Sequence, residues 1–433
     1  MKIAVIGTGY VGLVTAAGLA EFGHTVIGTD KDAAKIDLIS RGISPIYEPG
    51  LEDLLKRTLA SGNLSFTADV DAAIREAGVI FVCVGTPQDE DGRADMSQIE
   101  GVARAIAQNL NGYKVVVEKS TVPVKTSEWI KRIIGLYRRG DTPFDVASNP
   151  EFLREGSAVP DFLEPDRIIV GVETDRARDM LVRIYEKFRE RILVTSIDTA
   201  ELIKHASNSF LALKISYINM ISDLCERTDA DVEQVALGMG LDPRIGRQFL
   251  KAGLGYGGSC FPKDIRALTK IGEDLGVNCG LLREADKVNH ARTGQFLDKV
   301  KKALWILKDK KIAVLGLAFK PETDDIREAS SIRIIREFVK EGAALRLYDP
   351  KAMDNMKEVF PPSPQVTYCE GPYQAAQDAN ALLVVTEWEE FRALDLARTR
   401  DLMANFIIVD GRNMFDPVVV RGLGFEYYSV GRK

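Results

Sequence analysis

One short segment constrains the chain more than any other: Gly7-Thr8-Gly9-Tyr10-Val11-Gly12, set between an apolar run (Ile3 to Ile6) and a helical pattern (about Tyr10 to Phe22). A second run, Thr25 to Thr29, ends at Asp30, 23 residues beyond Gly7, and completes a βαβ unit. Parallel strands joined through a helix need cover on both faces of their sheet, so an α/β domain follows from this opening. The glycines permit a tight turn and close approach of a pyrophosphate, while the helix N-terminus offers unpaired N–H groups and a positive dipole end. A carboxylate at Asp30 accepts from a ribose 2′-hydroxyl and repels a 2′-phosphate, so NAD is expected rather than NADP. The alternative is a glycine turn without ligand.

Further buried-strand patterns lie at Val79 to Val84 and Val115 to Glu118, closing on Gly85-Thr86-Pro87 and Ser120-Thr121-Val122-Pro123. Doubly wound sheets bind ligands at such carboxyl ends. Around Thr199 the pattern becomes a helical run to about Arg227, about 29 residues or about 43 Å at 1.5 Å per residue. Asp198 with Glu201 three positions on reads as a capping box. Leu202, Phe210, Leu213, Tyr217 and Met220 put apolar groups on more than one face, so this helix is expected to join two domains and offer a dimer interface; the alternative is an internal core helix. After Lys308 to Lys311 the opening scheme returns: strand Ile312 to Leu315, helix about Ser331 to Lys340, a strand ending Tyr348-Asp349-Pro350, then strands Ala381 to Thr386 and Phe406 to Asp410. Gly316-Leu317-Ala318-Phe319-Lys320 replaces GxGxxG there, so a different ligand is expected. The expected architecture is α/β: two Rossmann-like doubly wound domains, 1–197 and 299–433, joined by a central helical region, 198–298, with one long helix.

A length of 433 residues suits two or three such domains, and 63 acids against 57 bases are too balanced for a nucleic-acid footprint. Cys83, Cys225, Cys260, Cys279 and Cys369 are odd in number and scattered, with no C-x-x-C pair and only three histidines, which fits neither a disulfide framework nor a zinc site. No metal, reduced thiols and a cytoplasmic location are expected. Lys2 before Ile3-Ala4-Val5-Ile6 imitates a leader, but the glycines at 7, 9 and 12 argue against one. Charges such as Lys214 interrupt every apolar stretch short of the ~18 residues that span a bilayer, so no membrane association is expected.

The most reactive segment is Gly253-Leu254-Gly255-Tyr256-Gly257-Gly258-Ser259-Cys260-Phe261-Pro262-Lys263-Asp264. Its glycines clear the backbone for close approach of a ligand, and Lys263 favours the nucleophilic thiolate of Cys260. The alternative is a small residue packed in a turn. Cys83 in a strand and Cys225 in a helix read as buried inert thiols. Lys204 and Asn208, four apart, project from one helix face, although a lone lysine is often merely solvated. Asn149-Pro150-Glu151-Phe152-Leu153-Arg154-Glu155-Gly156 brings two carboxylates four apart, which also suits an ordinary helix surface.

These segments together resemble the UDP-glucose/GDP-mannose dehydrogenase family along essentially the whole chain: GTGYVG, SPIYEPGL, VGTP, KSTVP, NPEFLREG, the Lys204/Asn208 helix, GYGGSCFPKD, GLAFKPETDDIRE and DGRN stand in the family order. DPRIGRQFLKAG and DGRN point, within the family, to UDP-glucose as substrate, with GDP-mannose or a UDP-N-acetylhexosamine as the alternative. Two departures are mild: Lys125 stands where glycine is common, and Tyr256 where phenylalanine is frequent. A two-electron 3-hydroxyacid dehydrogenase would have no use for Cys260, and a non-enzymatic NAD sensor would have no use for the full set of candidate catalytic groups.

The resemblance implies a four-electron oxidation of a sugar C6 alcohol to a carboxylate, using two NAD in succession through a Cys260 thiohemiacetal and thioester. It further implies that Lys204 stabilises the oxyanion and shares proton transfer, with Asn208 and an Asp264-held water beside it. Glu151 matches the residue that orients water for hydrolysis, and Thr121 one that binds the water network and the cofactor. Gly7, Gly9, Tyr10, Val11, Gly12, Asp30, Lys35, Thr86, Glu155, Lys263 and Arg327 match cofactor contacts. Glu151, Phe152, Leu153, Lys204, Asn208, Phe249, Lys251, Gly257, Phe319, Lys320 and Arg412 match substrate contacts, and Arg244 an arginine lent by the second subunit of a homodimer.

Overall fold

The computed structural model describes residues 1–87 and 94–432. The chain divides into two compact units, Met1–Ser207 with Arg266–Gly276, and Asn208–Ile265 with Val277–Lys433.

The first unit is built on β1 (Lys2–Ile6), β2 (Thr25–Thr29), β3 (Leu64–Thr67), β4 (Val79–Val82), β5 (Lys114–Glu118), β6 (Phe144–Ser148), β7 (Ile168–Gly171) and β8 (Ile192–Thr195), in the order β3-β2-β1-β4-β5-β6-β7-β8. All neighbours are parallel except β7 against β6. Side chains alternate across β1. Ile3 and Val5 enter a core with Leu13, Leu19, Phe81 and Val117; Ala4 and Ile6 enter a second core with Ile80, Val116, Ile106 and Ile134. Covered on both faces, β1 and β4 read as unbroken apolar runs, which is why they were legible. The edge strand β8 leaves Leu193 and Val194 exposed, and its pattern is weak.

The second unit holds β9 (Lys311–Leu315), β10 (Ala344–Tyr348), β11 (Val366–Tyr368), β12 (Ala381–Val384), β13 (Ile407–Asp410) and β14 (Glu426–Tyr428), all parallel, in the order β11-β10-β9-β12-β13-β14. This repeats the order of the first six strands, the doubly wound arrangement with its switch point beside the first strand. The likeness extends to the turns. Gly7 and Gly316 both have positive φ, 94° and 96°. Thr8 N–H donates to Asp30 Oδ2 at 3.0 Å, and Leu317 N–H to Asp349 Oδ2 at 2.7 Å.

The long helix runs Ile197–Thr228 and crosses the division between units. The capping box does not form. Because the helix starts earlier than expected, Asp198 already lies in its first turn, and Ser196 Oγ meets Thr199 N–H instead at 3.4 Å. Glu201 accepts from Lys125 N–H (2.7 Å), Ser127 N–H (3.0 Å) and Ser127 Oγ (2.8 Å). Among the described residues, no helix is long and apolar enough to cross a membrane.

Candidate active site

In the first unit the glycines of the opening turn divide the work. A Cβ on Gly12 would fall 1.8 Å from the Gly7 carbonyl, so Gly12 lets helix Tyr10–Glu21 pack onto its strand. A Cβ on Gly9 would meet nothing within 4 Å, which leaves space for a pyrophosphate at a helix start lacking any side-chain cap. Val11 packs against the core below. Asp30 accepts from Thr8 N–H, Thr8 Oγ1 (2.9 Å) and Lys35 Nζ (2.9 Å). Burial pushes its carboxyl upward, but Lys35, Thr8 and Asp32 N–H outweigh burial and hold it at about 2. An ionised, partly exposed acceptor beside an open glycine turn fits a dinucleotide ribose.

A second group of residues collects at the carboxyl ends of β4, β5 and β6. Thr86 Oγ1 donates to the Thr121 carbonyl at 2.9 Å. Glu151 and Lys204, both nearly buried, form an ion pair at 2.8 Å, and Glu151 Oε2 also accepts Leu153 N–H at 2.6 Å. Lys204 Nζ lies 5.4 Å from the Phe152 ring centroid. Lys119, Asn149 and Glu118, to which the sequence motifs assign no role, join this group. Lys119 Nζ donates to the Asn149 carbonyl (3.2 Å) and Oδ1 (3.1 Å), two residues before Glu151. Burial lowers the Lys119 ammonium, opposed by nearby charges including Glu151 and Glu118. Burial, then Glu201, pushes Glu118 well above the usual carboxylate range. The available signal was the adjacent pair Glu118-Lys119 directly after the apolar run Val115 to Val117.

In the second unit Cys260 directly precedes helix Phe261–Asp274, at the end where the helix dipole favours an anion. Its thiol is half-buried, with Ser259 Oγ at 3.6 Å. Asp264 N–H donates to the Cys260 carbonyl at 2.9 Å, and the buried Asp264 carboxylate accepts Asn208 Nδ2 at 2.6 Å with Lys263 Nζ 3.3 Å away. On its Cβ side the bare backbone of the glycine loop admits the protein's own chain: a Cβ on Gly258 would fall 2.6 Å from the Phe319 ring, on Gly257 2.5 Å from the Glu328 carbonyl, on Gly255 2.3 Å from Asn289 Oδ1. Asn289, likewise assigned no role by the motifs, clamps Tyr256 through both its main-chain groups at 2.8 and 3.0 Å. Arg412 donates to the carbonyls of Val385 (2.8 Å), Gly255 (3.2 Å) and Phe319 (3.2 Å), tying the loop at Gly255 to two other segments with three of its five N–H donors.

The other candidates are more open. Phe249 has φ 65° and a ring 6.1 Å from Phe261. Lys251 is exposed. Arg244 pairs with Asp242 at 2.6 Å and Arg327 with Asp325 at 2.6 Å, each two residues away. Lys320 Nζ lies 5.4 Å from the Phe319 ring centroid.

The chain matches the UDP-glucose/GDP-mannose dehydrogenase family in three successive parts: its NAD binding domain over residues 1–189, its central domain over 198–291 and its UDP binding domain over 313–417. The chain belongs to this family of NAD-dependent dehydrogenases. It is similar to a UDP-glucose 6-dehydrogenase of Bacillus subtilis, YwqF, at 46% identity covering 100% of this chain and 98% of that protein. It is 45% identical to a UDP-glucose 6-dehydrogenase of Rhizobium meliloti, covering 100% of both. A solved UDP-glucose dehydrogenase from the archaeon Pyrobaculum islandicum superposes with a TM-score of 0.92 at 38% identity, covering 100% of this chain and 98% of that one.

Proposed function

We propose that the chain oxidises the C6 alcohol of UDP-glucose to the carboxylate, giving UDP-glucuronate. The observation that carries the reading is the linked set Cys260, Asp264 and Asn208 at the head of a helix, in a chain similar over its full length to UDP-glucose 6-dehydrogenases. The balance is R–CH2OH + 2 NAD+ + H2O → R–COO− + 2 NADH + 3 H+. NAD, when bound, supplies the acceptor for both hydrides; Gly7, Gly9, Tyr10, Val11, Gly12, Asp30, Lys35, Thr86, Thr121, Glu155, Lys263 and Arg327 are the residues assigned to hold it.

Lys204 stabilises the developing alkoxide and relays its proton, Glu151 being its buried counter-charge. The Cys260 thiolate adds to the C6 aldehyde carbonyl, so the aldehyde stays covalently held until its second oxidation to a thioester. Asn208 and Asp264 orient the oxyanion and a water; Thr121 and Glu151 position the water that cleaves the thioester and returns the thiol. Phe152, Leu153, Phe249, Lys251, Gly257, Phe319, Lys320 and Arg412 receive the nucleotide sugar. Two NADH per sugar, and no acid from Cys260→Ala, are the expected results. One NADH with free aldehyde released would overturn the mechanism, and preference for GDP-mannose or a UDP-N-acetylhexosamine in a substrate panel would overturn the substrate.

The chain is further proposed to act as a homodimer in the cytoplasm. Phe210, Tyr217, Met220 and Leu224, spaced by seven, three and four along the long helix, are all exposed and share one stripe, an apolar face suited to a second copy. Arg244, largely exposed, is the residue assigned to reach the second copy's substrate. Light scattering on wild type and Phe210→Asp tests this; a wild-type monomer refutes it. The five cysteines, none in a disulfide, suit a reducing compartment.

A further inference from the structure

We propose that Glu48 is a positioning residue that ties the Glu151–Gly156 segment to the cofactor turn. The proposal rests on the reading above for its catalytic consequence, but its geometry lies wholly within the first unit. Glu48 is 5% exposed, and its carboxylate collects donors from two distant stretches. Oε2 accepts the Tyr10 hydroxyl, from inside GTGYVG, and Gly156 N–H at 2.7 Å; Oε1 accepts Ala158 N–H at 2.7 Å. Ala158 opens the short helix Ala158–Leu163, whose own Ser157 supplies no side-chain cap. Ser157 Oγ turns instead toward the Arg154 carbonyl and Asp161. Glu48 therefore caps that helix from 110 residues away.

The far end of the same short helix is fixed by packing. Phe162 stacks on Phe22 at 5.6 Å, and a Cβ on Gly18 would fall 2.1 Å from its ring. Helix Ala158–Leu163 is thus docked on helix Tyr10–Glu21 by an apolar contact at one end and by the Glu48–Tyr10 bridge at the other. Between β6 and this dock runs the segment with Glu151, paired to Lys204, and Glu155, whose charge reaches the Tyr10 hydroxyl. Releasing the bridge frees that segment from the cofactor turn at its downstream end. Three donors then face a side chain with fewer acceptors, and a charge-assisted bond is lost.

The test uses Glu48→Gln, Tyr10→Phe and the double variant of the full chain, with Glu52→Gln, half-exposed on the next helix, as control. NADH affinity is read by fluorescence titration without sugar, and kcat and KM by turnover with UDP-glucose. Glu48→Gln is expected to weaken NADH about tenfold and to lower kcat, Tyr10→Phe to weaken NADH about threefold, and the double variant to match Glu48→Gln because the two share one bond. Unchanged NADH affinity in Glu48→Gln, or losses that multiply, overturns the proposal. If Glu48→Gln does not fold, Tyr10→Phe, which deletes one oxygen, decides alone. Because the titration needs no sugar, a wild type that fails to oxidise UDP-glucose refutes the preceding reading and leaves this one to its own readout.

Discussion

Replacing Lys204 by Met removes the cation from a carboxylate that is as buried as itself. Breaking a buried pair by removing one partner leaves an uncompensated charge and costs about 3–5 kcal/mol. Leu153 N–H and the Lys119 charge, which remain, reduce this to an expected loss of about 2–4 kcal/mol. For a unit of about 200 residues that lowers the thermal midpoint by about 4–16 °C. Differential scanning calorimetry of wild type, Lys204→Met and Lys204→Met/Glu151→Gln at pH 7 measures it. The double variant should recover to within about 1 kcal/mol of wild type. No loss in the single variant, or a double variant no more stable than the single, would show that the pair is not buried as described.

Asp30→Ala should weaken NAD by about 10–100-fold, the range of one lost charge-assisted hydrogen bond, and should weaken NADP much less; equal losses in a fluorescence titration would show that Asp30 does not read the ribose. Gly258→Ala should cost about 2–5 kcal/mol, from φ 77° and overlap with the Phe319 ring, and should cut kcat with it. Gly238→Ala, inside helix Val232–Gly240 with open space at its Cβ, should be neutral or stabilise by up to about 1 kcal/mol, and chemical denaturation that ranks the two alike contradicts the packing described. Alkylation at pH 7 should modify Cys260 and spare Cys83, whose thiol burial pushes up to about 12; peptide mapping that finds Cys83 modified at a comparable rate contradicts its burial.

What the sequence made legible was whatever is decided within a few residues. The strand-turn-helix at Gly7 to Gly12, the acid closing β2 and the restart at β9 each rest on local period and turn chemistry, and each stands where expected. Lys125 shows the same logic from the other side. It takes φ 81°, a conformation that favours glycine, and its ammonium meets Glu128 at 2.7 Å and Asp198 at 2.6 Å. The failures came where a residue's role is assigned by distant partners. Asp198 and Glu201 had capping-box spacing, yet Glu201 is taken by Lys125 and Ser127, more than 70 positions away. The loop glycines suggested room for a ligand, and on their Cβ side the protein's own Phe319, Glu328 and Asn289 take that room.

Asp30 and Asp349 make the limit clearest. Each closes the second strand of its half, and each accepts the first N–H after a positive-φ glycine. By their place at the strand end they are equivalent, although the second half lacks GxGxxG. Asp349, however, also accepts Ala318, Lys351 and Ala352 N–H and Trp388 Nε1, and it is fully buried. Five donors leave it nothing to offer a ribose, whereas Asp30 keeps part of its carboxylate at the surface. The decisive residue is Trp388, 39 positions beyond Asp349, whose indole closes over the acid that a cofactor would otherwise read. One fold thus yields a dinucleotide site in its first copy and withholds the same ribose contact in its second: the missing GxGxxG announces the difference locally, and the Trp388 contact, which no local pattern records, occupies the acid.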